Sequence, residues 1–103
     1  MSAEDDFGGN DAEFWHIIAH VHGKEVVISV GDASQRIKWV AQVAIARWDD
    51  DNCQGWKRLG IPTTVRVGTA IGEEVEMGRV IRDALRNGEH IYISTSLNPI
   101  ETR

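Results

Sequence analysis

The sequence predicts an α+β fold in which a sheet of four or five strands packs on one main helix. Residues 14–30 form two β-rich runs that are divided at His22-Gly23. Residues 35–48 then place apolar side chains three and four positions apart, which is the spacing of one face of a helix. After Pro62, short β-rich runs alternate with glycine turns. A chain of 103 residues is long enough for one domain with a single core.

The two opening runs are expected to form a hairpin with an apolar inner face. One register that fits the pattern has a tight two-residue turn at His22-Gly23. A turn one residue longer, with a bulge, also fits and would direct Ile18 into the core. The first register would pair Ala19 with Val26, Ile17 with Ile28, and Trp15 with Val30.

The predicted helix has a core face and a second apolar patch. Asp32 or Ser34 is expected to be its N-cap, because their side-chain oxygens accept hydrogen bonds from a first helical turn. Trp39 and Val43 lie four residues apart on a flank away from the core face, and an apolar patch of this size normally needs a cover. The residues expected on the core face are Ile37, Val40, Ala41, Ala44 and Trp48.

A polar connector, residues 49–59, follows the helix and contains an isolated tryptophan, Trp56. In one interpretation Trp56 and Leu59 fold back and cover Trp39 and Val43, because an exposed tryptophan pair is unfavourable in a monomer. In the other, Trp39, Val43 and Trp56 form a surface that binds a partner protein. Both interpretations remain open from the sequence.

The second half of the chain predicts three further strands. The third is expected at residues 64–67, and a short fourth strand at residues 73–76. Residues 79–85 should form a loop or a single helical turn, and an Asn-Gly turn should open the last strand at residues 90–94. The side chains expected to face the core in this half are Val80, Ile81, Leu85, Ile91 and Ile93.

This order of features, with Gly60-Ile61-Pro62 as the corner after the helix, resembles the ubiquitin-like β-grasp family over residues 14–95. The resemblance implies a β-grasp roll with a mixed sheet, in which the first and last strands pair in parallel. It also implies a binding module rather than an enzyme. The connector at residues 49–59 is longer than the equivalent passage of ubiquitin.

Two functional features of that family are missing. Conjugated modifiers and sulfur carriers end in Gly-Gly, whereas this chain has no glycine after Gly88. The apolar sheet patch through which ubiquitin receives partners is also more polar here, since its positions fall near Thr69, Tyr92 and Ser94. Tyr92, with His90 beside it, remains a candidate contact because exposed aromatic residues suit interface centres.

The charge distribution divides the chain into a predicted acidic tail and a nearly neutral domain. The formal net charge is −5, and five acidic residues lie among the first thirteen residues with no basic residue between them. We expect residues 1–12 to be a disordered tail, residues 13–95 the domain and residues 96–103 a short C-terminal tail. The absence of a basic patch argues against a nucleic-acid partner, and the absence of a long apolar run argues against a membrane partner.

Residue chemistry gives little support for catalysis. Cys53 has no histidine near it in sequence that could activate it as a nucleophile. Because it is the only cysteine, no disulfide can form within the chain, and an intracellular protein, cytoplasmic or nuclear, is expected. His16, His20 and His22 share one strand face, but alternate residues lie ~7 Å apart, which is too far for three ligands of one ion without a bulge.

The sequence therefore predicts a non-catalytic protein-interaction module, acting as an adaptor or as a subunit of an assembly, with other proteins as partners and no cofactor. One alternative is a conjugated or carrier-type modifier that needs unusual processing. A second is a small metal-binding protein that uses the His16/His20/His22 face. The residues expected to contact a partner are Trp39, Val43, Trp56, Tyr92 and His90.

Overall fold

The computed structural model describes residues 14–99, and the predicted N-terminal tail lies outside the described residues. Among those residues no helix has the length and apolarity that crossing a membrane requires. Within residues 14–99, five strands and three helices follow one another in the order β1 (Trp15–Val21), β2 (Lys24–Gly31), α1 (Ile37–Arg47), α2 (Trp56–Leu59), β3 (Pro62–Val67), β4 (Glu74–Val75), α3 (Ile81–Ala84) and β5 (His90–Thr95).

The five strands form one mixed sheet in the order β2-β1-β5-β3-β4. The central strands β1 and β5 are parallel, whereas β1 with β2, β3 with β5 and β3 with β4 are antiparallel. Helix α1 packs against this sheet and contacts β1, β2 and β3. The predicted α+β class, with one main helix and a sheet of four or five strands, is confirmed.

The opening hairpin has the tighter of the two predicted turns. His22 and Gly23 both have positive φ angles, 48° and 81°, as a two-residue primed turn requires. The turn leaves Ala19 opposite Val26, as predicted, and the pairing of Ile17 with Ile28 is also as predicted. The inner face of the hairpin is therefore apolar and buried.

The far end of the hairpin differs from the prediction. Trp15 lies opposite Gly31 rather than Val30, because the register shifts between Trp15 and His16. Ile18 lies opposite Val27 on the outer face and is half-buried, so the longer turn that would have directed Ile18 into the core is wrong.

Helix α1 buries the face that the periodicity predicts, with one addition and one change. Ile45 is also buried, with only 1% of its surface exposed. Trp48 follows the last helical residue and is half-buried, although it still packs against the core. The buried residues of the helix are Ile37, Val40, Ala41, Ala44 and Ile45.

The start of α1 corrects the predicted N-cap. The cap position is Arg36, which makes no side-chain cap hydrogen bond. Instead, the N–H groups of Ile37 and Lys38 donate to the carbonyl oxygens of Arg79 and Met77, at 2.9 Å each. A loop from the other half of the chain thus satisfies donors that a cap residue normally satisfies.

The Asp32 side chain, one of the two predicted caps, has a local partner instead. Asp32 Oδ1 accepts the N–H of Ser34 at 3.1 Å, which stabilises the turn after β2. Hydrogen bonds from the Ser34 hydroxyl and N–H hold the pKa of the Asp32 carboxyl below its ordinary value.

The second half of the chain completes the core largely as predicted. Ile81, Leu85, Ile91 and Ile93 are buried, whereas Val80 is only half-buried. The two isoleucines lie on β5 between β1 and β3, so the centre of the sheet is apolar on the helix side. The opposite side of β5 is therefore free to carry polar residues.

The connector packs against the C-terminal part of α1 through its backbone. The Gly55 N–H donates to the Ala46 carbonyl at 3.0 Å, and a Cβ atom at Gly55 would lie only 1.9 Å from the Ile45 carbonyl oxygen. Leu59, at the end of α2, is fully buried, and its carbonyl accepts the N–H of Leu97 at 2.9 Å. The connector is thus joined to both α1 and the residues after β5.

Candidate functional site

The outer face of the sheet carries a row of five polar side chains, one from each strand. His20 on β1 is paired with Glu25 on β2 and with Tyr92 on β5. Tyr92 is paired with Arg66 on β3, and Arg66 with Glu74 on β4. Because residues in register across a sheet lie on the same face, these five form one continuous line. We call it the cross-strand row.

At the centre of the row the His20 and Tyr92 rings are stacked, and the His90 ring lies next to them. The rings of His20 and Tyr92 are nearly parallel, with centroids 4.2 Å apart and an interplanar angle of 5°. The ring centroid of His90 lies 5.1 Å from that of His20, and a hydrogen bond joins the two rings, with 2.8 Å between His20 Nε2 and His90 Nδ1. One of the two imidazoles donates this hydrogen bond and the other accepts it. The predicted contacts Tyr92 and His90 are thus brought together, and His20 joins them.

Arg66 is held beside this stack by contacts on the β4 side. One terminal nitrogen donates to the Gly72 carbonyl at 3.1 Å, and the other lies 3.9 Å from a Glu74 carboxylate oxygen. The Arg66 side chain is 38% exposed. A guanidinium has five N–H donors, so these two contacts leave donors for a further acceptor.

His22, the first turn residue after β1, takes part in a second chain of hydrogen bonds. The Thr95 hydroxyl donates to the Leu97 carbonyl at 2.7 Å, so its oxygen must accept from His22 Nε2, which is 2.6 Å away. The single hydroxyl proton thereby sets the neutral His22 tautomer, with the proton on Nε2. The Nδ1 atom of His22 is then the unprotonated nitrogen.

A pocket of about 370 Å³ opens on this face between β1, β3 and β5. No Asp or Glu side chain is among the described residues that line it. Ile71, in the loop after β3, follows a pocket residue in the chain and is 93% exposed. We call this the sheet-face pocket. Its lining includes the side chains of His20, His22, Arg66, Ala70, Tyr92 and Ser94.

The three candidate residues on the helix side belong to α1 and α2. Trp39 is 39% exposed and Trp56 is 51% exposed, whereas Val43 is half-buried and packs against the core. The Lys57 ammonium lies 5.6 Å from the centre of the Trp56 ring, which is within cation–π range. Both tryptophans therefore keep substantial surface in contact with solvent.

The acidic turn after α1 is organised by one carboxylate. Asp49 Oδ1 accepts the N–H groups of Asp51 at 3.0 Å and Asn52 at 3.3 Å, and Oδ2 accepts that of Gln54 at 3.3 Å. These bonds, the one from Asp51 foremost, hold the pKa of Asp49 below its ordinary value. Cys53, within this turn, is an exposed free cysteine with a positive φ angle.

The three histidines that the sequence predicts on one strand face do not all lie there, because His22 belongs to the turn after β1, and the three have different partners. His20 contacts His90, and His22 contacts Thr95, while the backbone N–H of His16 donates to Asn87 Oδ1 at 2.9 Å. Within residues 14–99, no group of three or more His, Cys, Asp or Glu residues is arranged to hold a metal ion.

Sequence reasoning missed three members of this site, namely His20 as a neighbour of Tyr92, Arg66 and Ile71. Strand alternation could have placed Arg66 on the outer face, since Val65 and Val67 flank it. The contact between His20 and Tyr92 depends on the parallel register of β1 and β5, for which the sequence contains no local signal. Ile71 lies between the predicted third and fourth strands, where the pattern carries no signal for a site.

Sequence comparisons do not assign the chain to a family. No protein-family model matches the chain, and no curated protein matches its sequence.

Proposed function

We propose that this chain is a ubiquitin-like β-grasp domain that acts as a non-catalytic protein-interaction module, an adaptor or a subunit of an assembly. The strand order β2-β1-β5-β3-β4, with parallel β1 and β5 and a helix on one face, supports the β-grasp assignment, because it is the mixed arrangement that the resemblance implies. The residues proposed to contact a partner are Trp39, Val43, Trp56, Tyr92 and His90.

The observation that carries the interaction function is the ring stack on the outer sheet face. Aromatic rings held in place by stacking lose little conformational freedom when a partner covers them, which favours association. Tyr92 and His20 are held in this way, and Ile71, which follows the pocket residue Ala70 in the chain, is almost fully exposed. Rigid aromatic rings and exposed aliphatic residues are both common at interface centres.

The function can be tested by photocrosslinking in cells that make the protein. A photocrosslinking residue in place of Ile71 reports on the sheet face, and one in place of Gln42, an exposed residue of α1, reports on the helix side. Asp83, an exposed residue of α3, is the control position. We expect one or a few discrete protein adducts from position 71 or 42 and markedly fewer from position 83.

Substitutions then assign the adducts to a face. Y92A should reduce adducts from position 71, and W39A should reduce adducts from position 42, while circular dichroism shows that each variant remains folded. Equal adduct patterns from all three positions would contradict the proposal, since they would reflect collisions rather than a specific partner.

A further inference from the structure

The sheet-face pocket has a chemical character that the chain as a whole lacks. The domain as a whole is nearly neutral, whereas the pocket is lined by one guanidinium, two imidazoles and two hydroxyl groups. The described lining contains no carboxylate. A guanidinium and two hydroxyl groups that can donate hydrogen bonds are thus gathered at one place, which favours an acceptor with negative charge.

The donors of the pocket are already oriented. Contacts with Gly72 and Glu74 hold the guanidinium of Arg66, and the His20 ring holds the ring of Tyr92. A ligand that binds here does not have to order these side chains, so more of the interaction free energy is retained as affinity. A charge-assisted hydrogen bond from a positioned Arg is also stronger than one between neutral groups.

The charges around the pocket limit the size of an anion. Glu25 and Glu74 lie at the two ends of the cross-strand row, on the outermost strands β2 and β4. An extended polyanion such as a nucleic acid would place negative charges next to both of them, which is unfavourable. A single carboxylate between Arg66 and Tyr92 avoids this repulsion.

An exposed apolar residue follows one of the pocket residues in the chain. Ala70 lines the pocket, and the neighbouring Ile71 is 93% exposed. A peptide in which an aliphatic residue adjoins an acidic one could bury the aliphatic side chain against Ile71 while its carboxylate enters the pocket. The apolar contact would supply affinity and the carboxylate would supply specificity.

From this combination we propose that the sheet-face pocket binds the carboxylate of an acidic side chain in a peptide segment of a partner protein, with a flanking aliphatic residue packed on Ile71. The proposal rests on the interaction function proposed above and names the chemistry of the partner. Arg66 is its principal ligand for the carboxylate, and Tyr92 supplies a second donor through its hydroxyl group.

The test is a titration of the full ¹⁵N-labelled chain with two capped tripeptides, Leu-Glu-Leu and Leu-Gln-Leu, followed by NMR. The glutamate peptide should produce saturable shifts of the Arg66 Nε–H and of the Tyr92 and Ile71 amides. The glutamine peptide, which has the same shape without the charge, should bind at least tenfold more weakly. Equal binding of the two peptides would overturn the proposal.

Variants locate the binding on the protein. R66Q should weaken binding of the glutamate peptide about tenfold or more, which corresponds to one charge-assisted hydrogen bond. R36Q is the matched control, because Arg36 also donates to a glycine carbonyl, that of Gly78 at 2.8 Å, but lies outside the pocket. Y92F keeps the stacked ring and should weaken binding several-fold, which provides a second test if R66Q does not fold. Unchanged affinity in R66Q and Y92F would overturn the proposal.

Other occupants of the pocket give distinct results. If inorganic phosphate binds at the same signals more tightly than the glutamate peptide, the ligand is a phosphoryl group and the proposal is wrong. If E4Q/D5N/D6N moves these signals without added peptide, the acidic N-terminal segment of the chain occupies the pocket, which also overturns it. Dependence of the signals on protein concentration would indicate a second copy of this chain, with the same consequence.

The outcome is separable from that of the proposed function. A failed peptide titration with retained adducts at position 71 or 42 overturns the acidic-partner proposal alone. Loss of specific adducts from both positions overturns the interaction function itself.

Discussion

His20 and His90 are 70 positions apart in the chain, yet their ring nitrogens lie within 2.8 Å of each other on adjacent parallel strands. The contact exists because Ile18 pairs with His90 and His20 pairs with Tyr92, so that both β5 side chains flank the His20 ring. The opening and closing strands of the domain are thus joined by side chains on the outer face as well as by the sheet hydrogen bonds. This relationship has a measurable effect on stability.

H20A should lower the free energy of unfolding by about 1–2 kcal/mol, since it removes both the ring stack on Tyr92 and the hydrogen bond with His90. H16A is the control, because His16 is exposed and contacts Asn87 through a backbone N–H that alanine retains; its effect should stay within about 0.5 kcal/mol. Urea unfolding of both variants gives the comparison. Equal losses would mean that the stack contributes no stability.

The close approach of Gly55 to α1 predicts a steric effect without any backbone strain. Gly55 has an ordinary helical φ of −56°, but a Cβ atom there would meet the Ile45 carbonyl oxygen at 1.9 Å. G55A should therefore destabilise the domain by about 1–3 kcal/mol, because the connector must move away from the helix.

G78A is the matched control for this substitution. A Cβ atom at Gly78 would find nothing within 4 Å, and its φ does not fall in the left-handed region. Thermal melts should therefore show a change within about 0.5 kcal/mol for G78A. A similar melting temperature for both variants would show that the connector does not pack on α1 as described.

Much of the fold follows from local patterns in the sequence. The helical spacing of Ile37, Val40, Ala41 and Ala44 identifies the face of α1 that is buried, because a helix that packs on one sheet buries one apolar stripe. Strand alternation likewise identifies Ile91 and Ile93. These predictions succeed because the pattern and the burial both depend on neighbours within a few residues.

Predictions that depend on distant residues were the ones that failed or could not be made. Asp32 and Ser34 are chemically suitable caps, but the first N–H groups of α1 bond to the carbonyls of Met77 and Arg79. No local signal near residue 35 indicates that the acceptors for these N–H groups come from a loop about forty residues further along the chain. The sheet-face pocket has the same origin, since it joins residues of three strands whose neighbours are set by the tertiary fold.

Leu59 and Trp56 should differ strongly in their contribution to stability. Leu59 is fully buried, so L59A should cost about 2–5 kcal/mol, whereas the half-exposed Trp56 leaves W56A with a smaller loss, below about 1.5 kcal/mol. Denaturant unfolding measures both. A loss for W56A as large as that for L59A would favour the interpretation of Trp56 as a cover for the helix. A small loss with missing adducts from position 42 would favour a partner-binding role.

Asp49 predicts a specific dependence of stability on pH. Its carboxylate accepts three backbone N–H groups in the turn after α1, and these bonds lower its pKa in the folded state. A carboxyl whose pKa is lower in the folded than in the unfolded state contributes stability above its unfolded pKa, about 3.9, and loses that contribution as the pH falls through the lower folded value. Acid should therefore loosen this turn.

D49A tests this expectation when its free energy of unfolding is compared with that of the unaltered chain from about pH 7 down to about pH 3. The difference between the two proteins should be largest at neutral pH and should shrink below about pH 4, because the protonated carboxyl no longer favours the folded state through its charge. D51A retains both the Asp49 carboxylate and the Asp51 N–H, so its difference from the unaltered chain should change less over the same range. A D49A difference that is constant with pH would mean that these hydrogen bonds do not depend on the charge of Asp49.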